Sequence, residues 1–350
     1  MLTTRRTFLH IAGFLVPPLF ANPVGLLRSL FLPEGEVRPW KRAAPNPFVR
    51  NGKALVSVVR GNDVDSMVRE AVRLIGGIER LAVAGKTVLV KPNVVSGEPS
   101  PATTNPQVVR SVVKMLRDAG AGKVIVGDMS GLIKLPTKKN LEQTGIASAA
   151  REAGAEVIDF DDADWIEVKP PGAWLTQSIH VAKPVYEADL LINLPVVKTH
   201  RNATYSICLK NLVGVTHPRY RPYRVNPNKW EEVVAEINLA AHPILNIVDA
   251  TTIMVANGPW EGPSEKTGLI MASGDRIAAD VVGLSLLKHF DKWEPIRKKN
   301  VWEQRQITHA QLLGIGIKEK NAVEMQTKLL KGDKKDFSAL VDQIKKFVSS

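Results

Sequence analysis

Apolar residues in this chain recur with two different periods. Short, nearly unbroken Val/Ile/Leu runs lie at residues 54–60, 87–93, 123–128, 155–160, 190–194, 244–249 and 268–272. Runs of that length and continuity predict strands buried on both faces, as in a parallel sheet. Between them, apolar positions repeat every three or four residues. Val64, Met67, Val68, Ala71, Val72 and Ile75 follow the capping residue Asp63. Val108, Val109, Val112, Val113 and Leu116 follow Asn105-Pro106, an N-cap with proline at the first helical position. Further helices are predicted at 139–153, 205–214 and 230–240, and after the cap Asp275. Residues 166–168 and 178–181 pair as a small antiparallel excursion around Pro170-Pro171-Gly172. Strands alternating with helices predict an α/β fold: a mostly parallel, mixed sheet flanked by helices in a Rossmann-like three-layer arrangement. No internal repeat appears.

The two ends depart from this pattern. Thr4-Arg5-Arg6-Thr7-Phe8-Leu9 resembles a twin-arginine export motif and precedes a short apolar segment, so residues 1–32 are expected to be a signal or anchor. The address implies export to the periplasm or the outer face of the cytoplasmic membrane, with the export machinery as a partner. No clean cleavage site follows, which leaves membrane association through an uncleaved segment open. Residues 33–53 read as a linker, 54–317 as the α/β domain and 318–350 as a charged, mostly helical tail with Phe337, Leu340, Val341, Ile344 and Phe347 on one face.

Charge and cysteine content narrow the chemistry. Lys plus Arg exceed Asp plus Glu by 47 to 35, a net charge of +12, which favours an anionic partner. No nucleic-acid-binding motif accompanies that charge, so nucleic acid is not expected. The single cysteine, Cys208, excludes an intramolecular disulfide and a self-supplied iron–sulfur or thiolate zinc site. Neither a dinucleotide fingerprint, a P-loop nor a hydrolase elbow is present.

Polar residues gather at the carboxyl ends of four predicted strands: Lys91 and Asn93, Asp128, Lys198 and His200, and Asp249. Ligands of open α/β sheets sit at such ends. Lys210 and Asn211 follow closely, and Thr104 precedes the helix cap. Residues 217–228 form a basic, aromatic, proline-broken loop with the character of a lid. For Asp128 and Asp249 the alternative is turn or helix capping, and for the basic residues a solvated loop.

The motifs Val88-Leu89-Val90-Lys91-Pro92-Asn93, Thr103-Thr104-Asn105-Pro106, Asn193-Leu194-Pro195-Val196-Val197-Lys198-Thr199-His200 and Leu209-Lys210-Asn211-Leu212-Val213-Gly214 occur in this order, followed by Gly258-Pro259 and Ser273-Gly274-Asp275. In that set and order the chain resembles domain-of-unknown-function family 362. The resemblance implies an α/β fold and no established reaction. Many relatives carry a ferredoxin-type cysteine module that this sequence lacks. A more distant likeness to lactate-racemase-type proteins, which hold a nickel cofactor between Lys and His residues, is an analogy of fold.

Three readings follow. In the first, an enzyme binds a phosphate, a carboxylate or an organic cofactor. Lys91, Lys198 and Lys210 supply charge, His200 exchanges protons, and Asn93, Asn211 and Thr104 orient the ligand, with Asp128 and Asp249 tuning the lysines. In the second, His200, Asp128 and Asp249, with Glu261 or Asp280, hold a divalent metal. In the third, the same basic cleft captures a ligand without chemistry.

Overall fold

The computed structural model describes residues 35–218 and 227–350. The segment expected to direct export and most of the loop read as a lid lie outside the described residues. The chain begins with β1 (Glu36–Val37), β2 (Val49–Arg50), β3 (Lys53–Arg60), α1 (Val64–Leu74), β4 (Thr87–Pro92), α2 (Pro106–Asp118) and β5 (Lys123–Asp128). It continues with α3 (Thr137–Gln143), α4 (Ile146–Glu152), β6 (Glu156–Asp159), β7 (Trp165–Val168), β8 (Ile179–Ala182), α5 (Lys183–Glu187), β9 (Leu190–Leu194), β10 (Val196–His200) and β11 (Thr204–Ser206). Next come α6 (Cys208–Asn211), α7 (Trp230–Ile237), β12 (Leu245–Met254), β13 (Ser264–Ser273) and α8 (Arg276–Phe290). The chain closes with α9 (Glu294–Arg297), α10 (Arg305–Leu312), β14 (Val323–Leu329) and α11 (Lys334–Ser349).

The main sheet runs β14-β3-β13-β12-β9-β4-β5-β6. All neighbours pair in parallel except where β13 meets β3 and β12. Side chains of a strand alternate between faces, and the core divides accordingly. Ala54, Val56 and Val58 of β3 join the apolar cluster that takes in α7, α8 and α11, while Leu55 and Val59 join the one containing α1, α2 and α4. The sheet is therefore the middle of three layers. Asp63 and Asn105 cap α1 and α2 as their sequence context predicts, accepting from Ser66 N and Gln107 N. The excursion of β7 and β8 is antiparallel and gains β1 as a third strand.

Several elements differ from the sequence expectation. The helix predicted at 139–153 is two short helices separated by Gly145, whose φ of 76° is a left-handed conformation that glycine adopts readily. Past Pro195 the chain does not enter a loop. It forms β10, which pairs with both β12 and β11. The strand expected to end at Asp249 runs on to Met254, held by its hairpin with β13. The stretch read as a linker supplies β1 and β2. The stretch read as a helical tail contains β14, which extends the sheet edge beside β3, and α11 then packs Phe337, Leu340, Val341 and Ile344 into the core.

Candidate functional site

Strand register builds the site. Lys91 of β4 lies opposite Asn193 of β9, Asn193 opposite Asn246 of β12, and Asn246 opposite Ser273 of β13. One polar row thus crosses four adjacent strands. It shares its sheet face with Leu89, Leu191, Val248 and Met271, the face covered by α6 and α8. From α6, Asn211 completes the row: its Nδ2 donates to Asn193 Oδ1 at 2.8 Å, and its Oδ1 accepts from Asn93 Nδ2 at 2.8 Å and from Lys91 Nζ at 3.3 Å.

Lys91 is 1% exposed, and its Nζ stands 2.5 Å from Asp128 Oδ1. The other oxygen of Asp128 accepts from Val94 N at 2.7 Å, so this carboxylate ties the turn after β4 as well as neutralising the lysine. Gly214 passes directly beside the pair. A β-carbon there would lie 2.2 Å from Asp128 Oδ1 and 2.9 Å from Lys91 Nζ.

Lys198 is equally buried but differently satisfied. Its Nζ donates to Asn93 Oδ1 at 2.6 Å and to the carbonyl of Ala102, both neutral acceptors. It forms no ion pair among the described residues. Burial, reinforced by the charge of Lys210, pushes its ammonium well below the ordinary lysine range, with Asp128 opposing and Lys91 adding to the shift. Asn93 N in turn donates to Thr104 Oγ1 at 2.8 Å, and Thr104 Oγ1 donates to Leu194 O at 2.7 Å.

His200 lies two residues beyond Lys198 on β10 and therefore on the same side of the strand. Its Nδ1 accepts from Asn202 N at 3.2 Å, which leaves Nε2 to carry the proton of the neutral ring. Burial, then Lys210 and Lys198, hold its pKa well below the usual histidine value. Lys210 is half-buried, its Nζ 5.5 Å from the centroid of the Trp230 ring.

The candidate residues thus separate into groups. Lys91, Asn93, Thr104, Asp128, Lys198 and Asn211 form one hydrogen-bonded network, and the charge of Lys210 acts on both Lys198 and His200 beside it. Asp249 is outside it. Its oxygens accept from Asn105 N at 2.8 Å and from Thr251 N at 3.0 Å and Oγ1 at 2.7 Å, so it anchors the start of α2 from mid-strand. Asp280 accepts from Cys208 N at 2.6 Å and Leu209 N at 3.2 Å, fixing the segment that carries Lys210 and Asn211. Exposed Glu261 faces Arg201 at 3.6 Å. Each carboxylate of the expected metal set is engaged elsewhere, and among the described residues no three His, Cys, Asp or Glu side chains are grouped to hold a metal ion. Asn193 and Asn246 were missed as site residues. Their signal was a lone amide inside an otherwise apolar strand, at LLINL and ILNIV.

The fold and this row together define an α/β protein with a buried lysine–asparagine network on one sheet face. The family profile described as Domain of unknown function (DUF362) matches residues 88–285, and the chain belongs to that family. It is 27% identical over 233 residues to the thylakoid-associated protein sll1697 of Synechocystis sp. (strain ATCC 27184 / PCC 6803 / Kazusa), covering 63% of this chain and 69% of that one. Among solved structures, the lactate racemase apoprotein from Thermoanaerobacterium thermosaccharolyticum aligns at a TM-score of 0.41 with 11% identity, over 87% of this chain and 88% of that one. A Thermotoga maritima protein aligns at 0.34 with 12% identity, over 61% and 56%.

Proposed function

We propose that this DUF362 protein is an exported enzyme that binds a small carboxylate or phosphate compound, or an organic cofactor bearing such a group. The observation that carries the reading is Lys198: a fully buried amine with neutral acceptors only, beside His200 and close to the charge of Lys210. An isolated buried ammonium is costly and is relieved either by losing its proton or by gaining an anion. An incoming anion supplies the missing counter-charge and raises the basicity of Lys198, so binding and proton uptake are coupled. Lys210 contributes charge, Asn93 and Asn211 fix orientation, and His200 offers its Nε2 proton as a donor. Lys91 remains the partner of Asp128 and supports the site rather than the ligand.

The twin-arginine segment supports export. Its apolar continuation, together with a thylakoid-associated relative, supports residence at a membrane face. Among the described residues no helix is long and apolar enough to cross a membrane.

The test is thermal-shift titration of the natively exported protein with inorganic phosphate, pyrophosphate and dicarboxylates, together with mass spectrometry of small molecules released on denaturation. Stabilisation of the wild type that disappears in Lys198→Met and Lys210→Ala is expected. No stabilisation by any of these anions, with nothing released, would overturn the reading. His200→Ala separates enzyme from binding protein: an enzyme keeps binding and loses turnover.

A further inference from the structure

The side-chain amides of the polar row form a chain that runs in one direction. Lys198 Nζ donates to Asn93 Oδ1 at 2.6 Å, and Asn93 Nδ2 donates to Asn211 Oδ1 at 2.8 Å. Asn211 Nδ2 donates to Asn193 Oδ1 at 2.8 Å, Asn193 Nδ2 to Asn246 Oδ1 at 2.9 Å, and Asn246 Nδ2 to the carbonyl of Ser273 at 3.2 Å. All four asparagines are at least nine-tenths buried. Resting on the reading of Lys198 as the ligand-facing amine, we infer that Asn211, Asn193 and Asn246 are positioning residues that lock the hydrogen-bond polarity at Lys198 from the other end of the row.

The direction cannot reverse. A backbone carbonyl only accepts, so Ser273 obliges Asn246 to present its NH₂ group, and each amide passes that orientation to the next. Asn193 is held the same way by a second carbonyl, its Nδ2 also donating to Cys208 O at 3.2 Å. The outcome at the other end is an amide oxygen permanently aimed at Lys198. With the Ala102 carbonyl taking a second N–H, two of the three positions on Nζ are committed to donation. The third has no partner among the described residues. In the neutral amine that third position is the lone pair, because both acceptors require hydrogens. The row therefore presents Lys198 as a base or nucleophile in one fixed direction. Aligned amide dipoles also polarise one another, strengthening the Asn93 oxygen as an acceptor.

The charged and titratable groups around Lys198 are Lys91 of β4, Asp128 of β5, His200 of its own strand and Lys210 of α6. Asn246 exchanges its side-chain hydrogen bonds with Asn193 and Ser273, neither of which is charged, which makes Asn246 the informative position. The experiment is an NMR titration of the full chain with ¹⁵N-labelled lysine, Lys198 being assigned by loss of its signal in Lys198→Met. In Asn246→Leu the row loses its terminus, and the Lys198 pKa is expected to fall by roughly 0.3 unit, against a detection limit of about 0.1 unit, with exposed Lys138 unmoved. Asn246→Ser serves as the second variant should Leu fail to fold. Ile247→Val, on the opposite sheet face, reports destabilisation alone and should leave Lys198 unchanged.

A folded Asn246 variant with an unmoved Lys198, or an equal shift in Ile247→Val, overturns the inference. Adding inorganic phosphate or a dicarboxylate to the wild type separates this result from the ligand reading. A relay shift without an anion response overturns the ligand reading alone, and an anion response without a relay shift overturns the relay alone.

Discussion

The Lys91 ammonium stands 2.5 Å from the Asp128 carboxylate, and both side chains are shut away from water. Lys198, on β10, which continues β9 along the same edge of β12, is as deeply buried and has no such partner among the described residues. The same residue type therefore occupies two electrostatic situations within one network. One lysine is the counter-ion of a structural carboxylate, and the other is held by oxygens that carry no full charge.

This difference predicts unequal costs of removing the two charges. Lys91→Met strands Asp128 as an unpaired buried carboxylate, and breaking a buried pair from one side costs about 3–5 kcal/mol. Lys198→Met leaves two neutral oxygens short of a donor but removes an unpaired buried cation, so its cost should be no more than about 1–2 kcal/mol. Urea unfolding of the two variants decides it. Equal losses would mean that Lys198 has a counter-charge of its own.

Gly214 predicts a site defect from one methyl group. The Cβ of Gly214→Ala would be 2.2 Å from Asp128 Oδ1, an oxygen whose carboxylate is tied to Val94 N and cannot easily retreat. Overpacking of this kind costs about 1–3 kcal/mol. The urea midpoint should fall by that amount, and the Lys91 ¹⁵N signal should move. A variant with wild-type stability and an unmoved Lys91 signal would contradict the close approach.

The layered fold was legible because its central strands are continuous apolar runs, which a sheet covered on both faces requires. Two strands were not. Pro195 reads as a terminator because it has no N–H. Here its carbonyl instead accepts from Asp249 N at 2.8 Å, and the chain resumes as β10. Residues 323–329 sit among charges in a half-exposed edge strand, a pattern that composition does not separate from a polar helix. Within the site, lysine, histidine and asparagine at strand ends were visible as a set. For Asp249 the sequence left capping and ligand binding both open, and the function of Asp280 was not visible, since a capping carboxylate and a ligand are the same residue type. Asn193 and Asn246 stood out in their strands, but their alignment with Lys91 exists only once three strands share a register.

Asp280 should control the site without belonging to it. Burial pushes its carboxyl up to about 7 even though it accepts from the amides of Cys208 and Leu209. Asp280→Ala leaves both amides without an acceptor at the base of the segment bearing Lys210 and Asn211. A loss of about 2–3 kcal/mol is expected, together with a weaker thermal response to anions. Asp280→Asn, which keeps one accepting oxygen, should recover part of both. Full retention of stability in Asp280→Ala would show that water replaces the carboxylate.

His242 predicts the acid limb of the stability curve. Its Nε2 lies 2.9 Å from the carbonyl of Lys41, and its ring meets Trp40 edge-on at 6.5 Å. Burial, then the nearby charge of Arg276, lowers its pKa from 6.5 to about 4. In that window the unfolded chain binds a proton that the folded chain refuses, so stability must rise with pH from about 4 to 6.5 and fall on acidification. One such group contributes at most about 1.4 kcal/mol per pH unit, or about 3 kcal/mol across the window. The carboxyl of Asp280, raised toward 7, acts in the opposite sense, and His200 in the same sense as His242. The difference between wild type and His242→Gln cancels those shared contributions. Urea unfolding at half-unit steps should give His242→Gln the shallower acid slope, with the two curves converging in shape above pH 6.5. Parallel curves throughout would mean that the imidazole is already protonated in the folded chain, its Nε2–H···O=C bond to Lys41 outweighing both burial and Arg276.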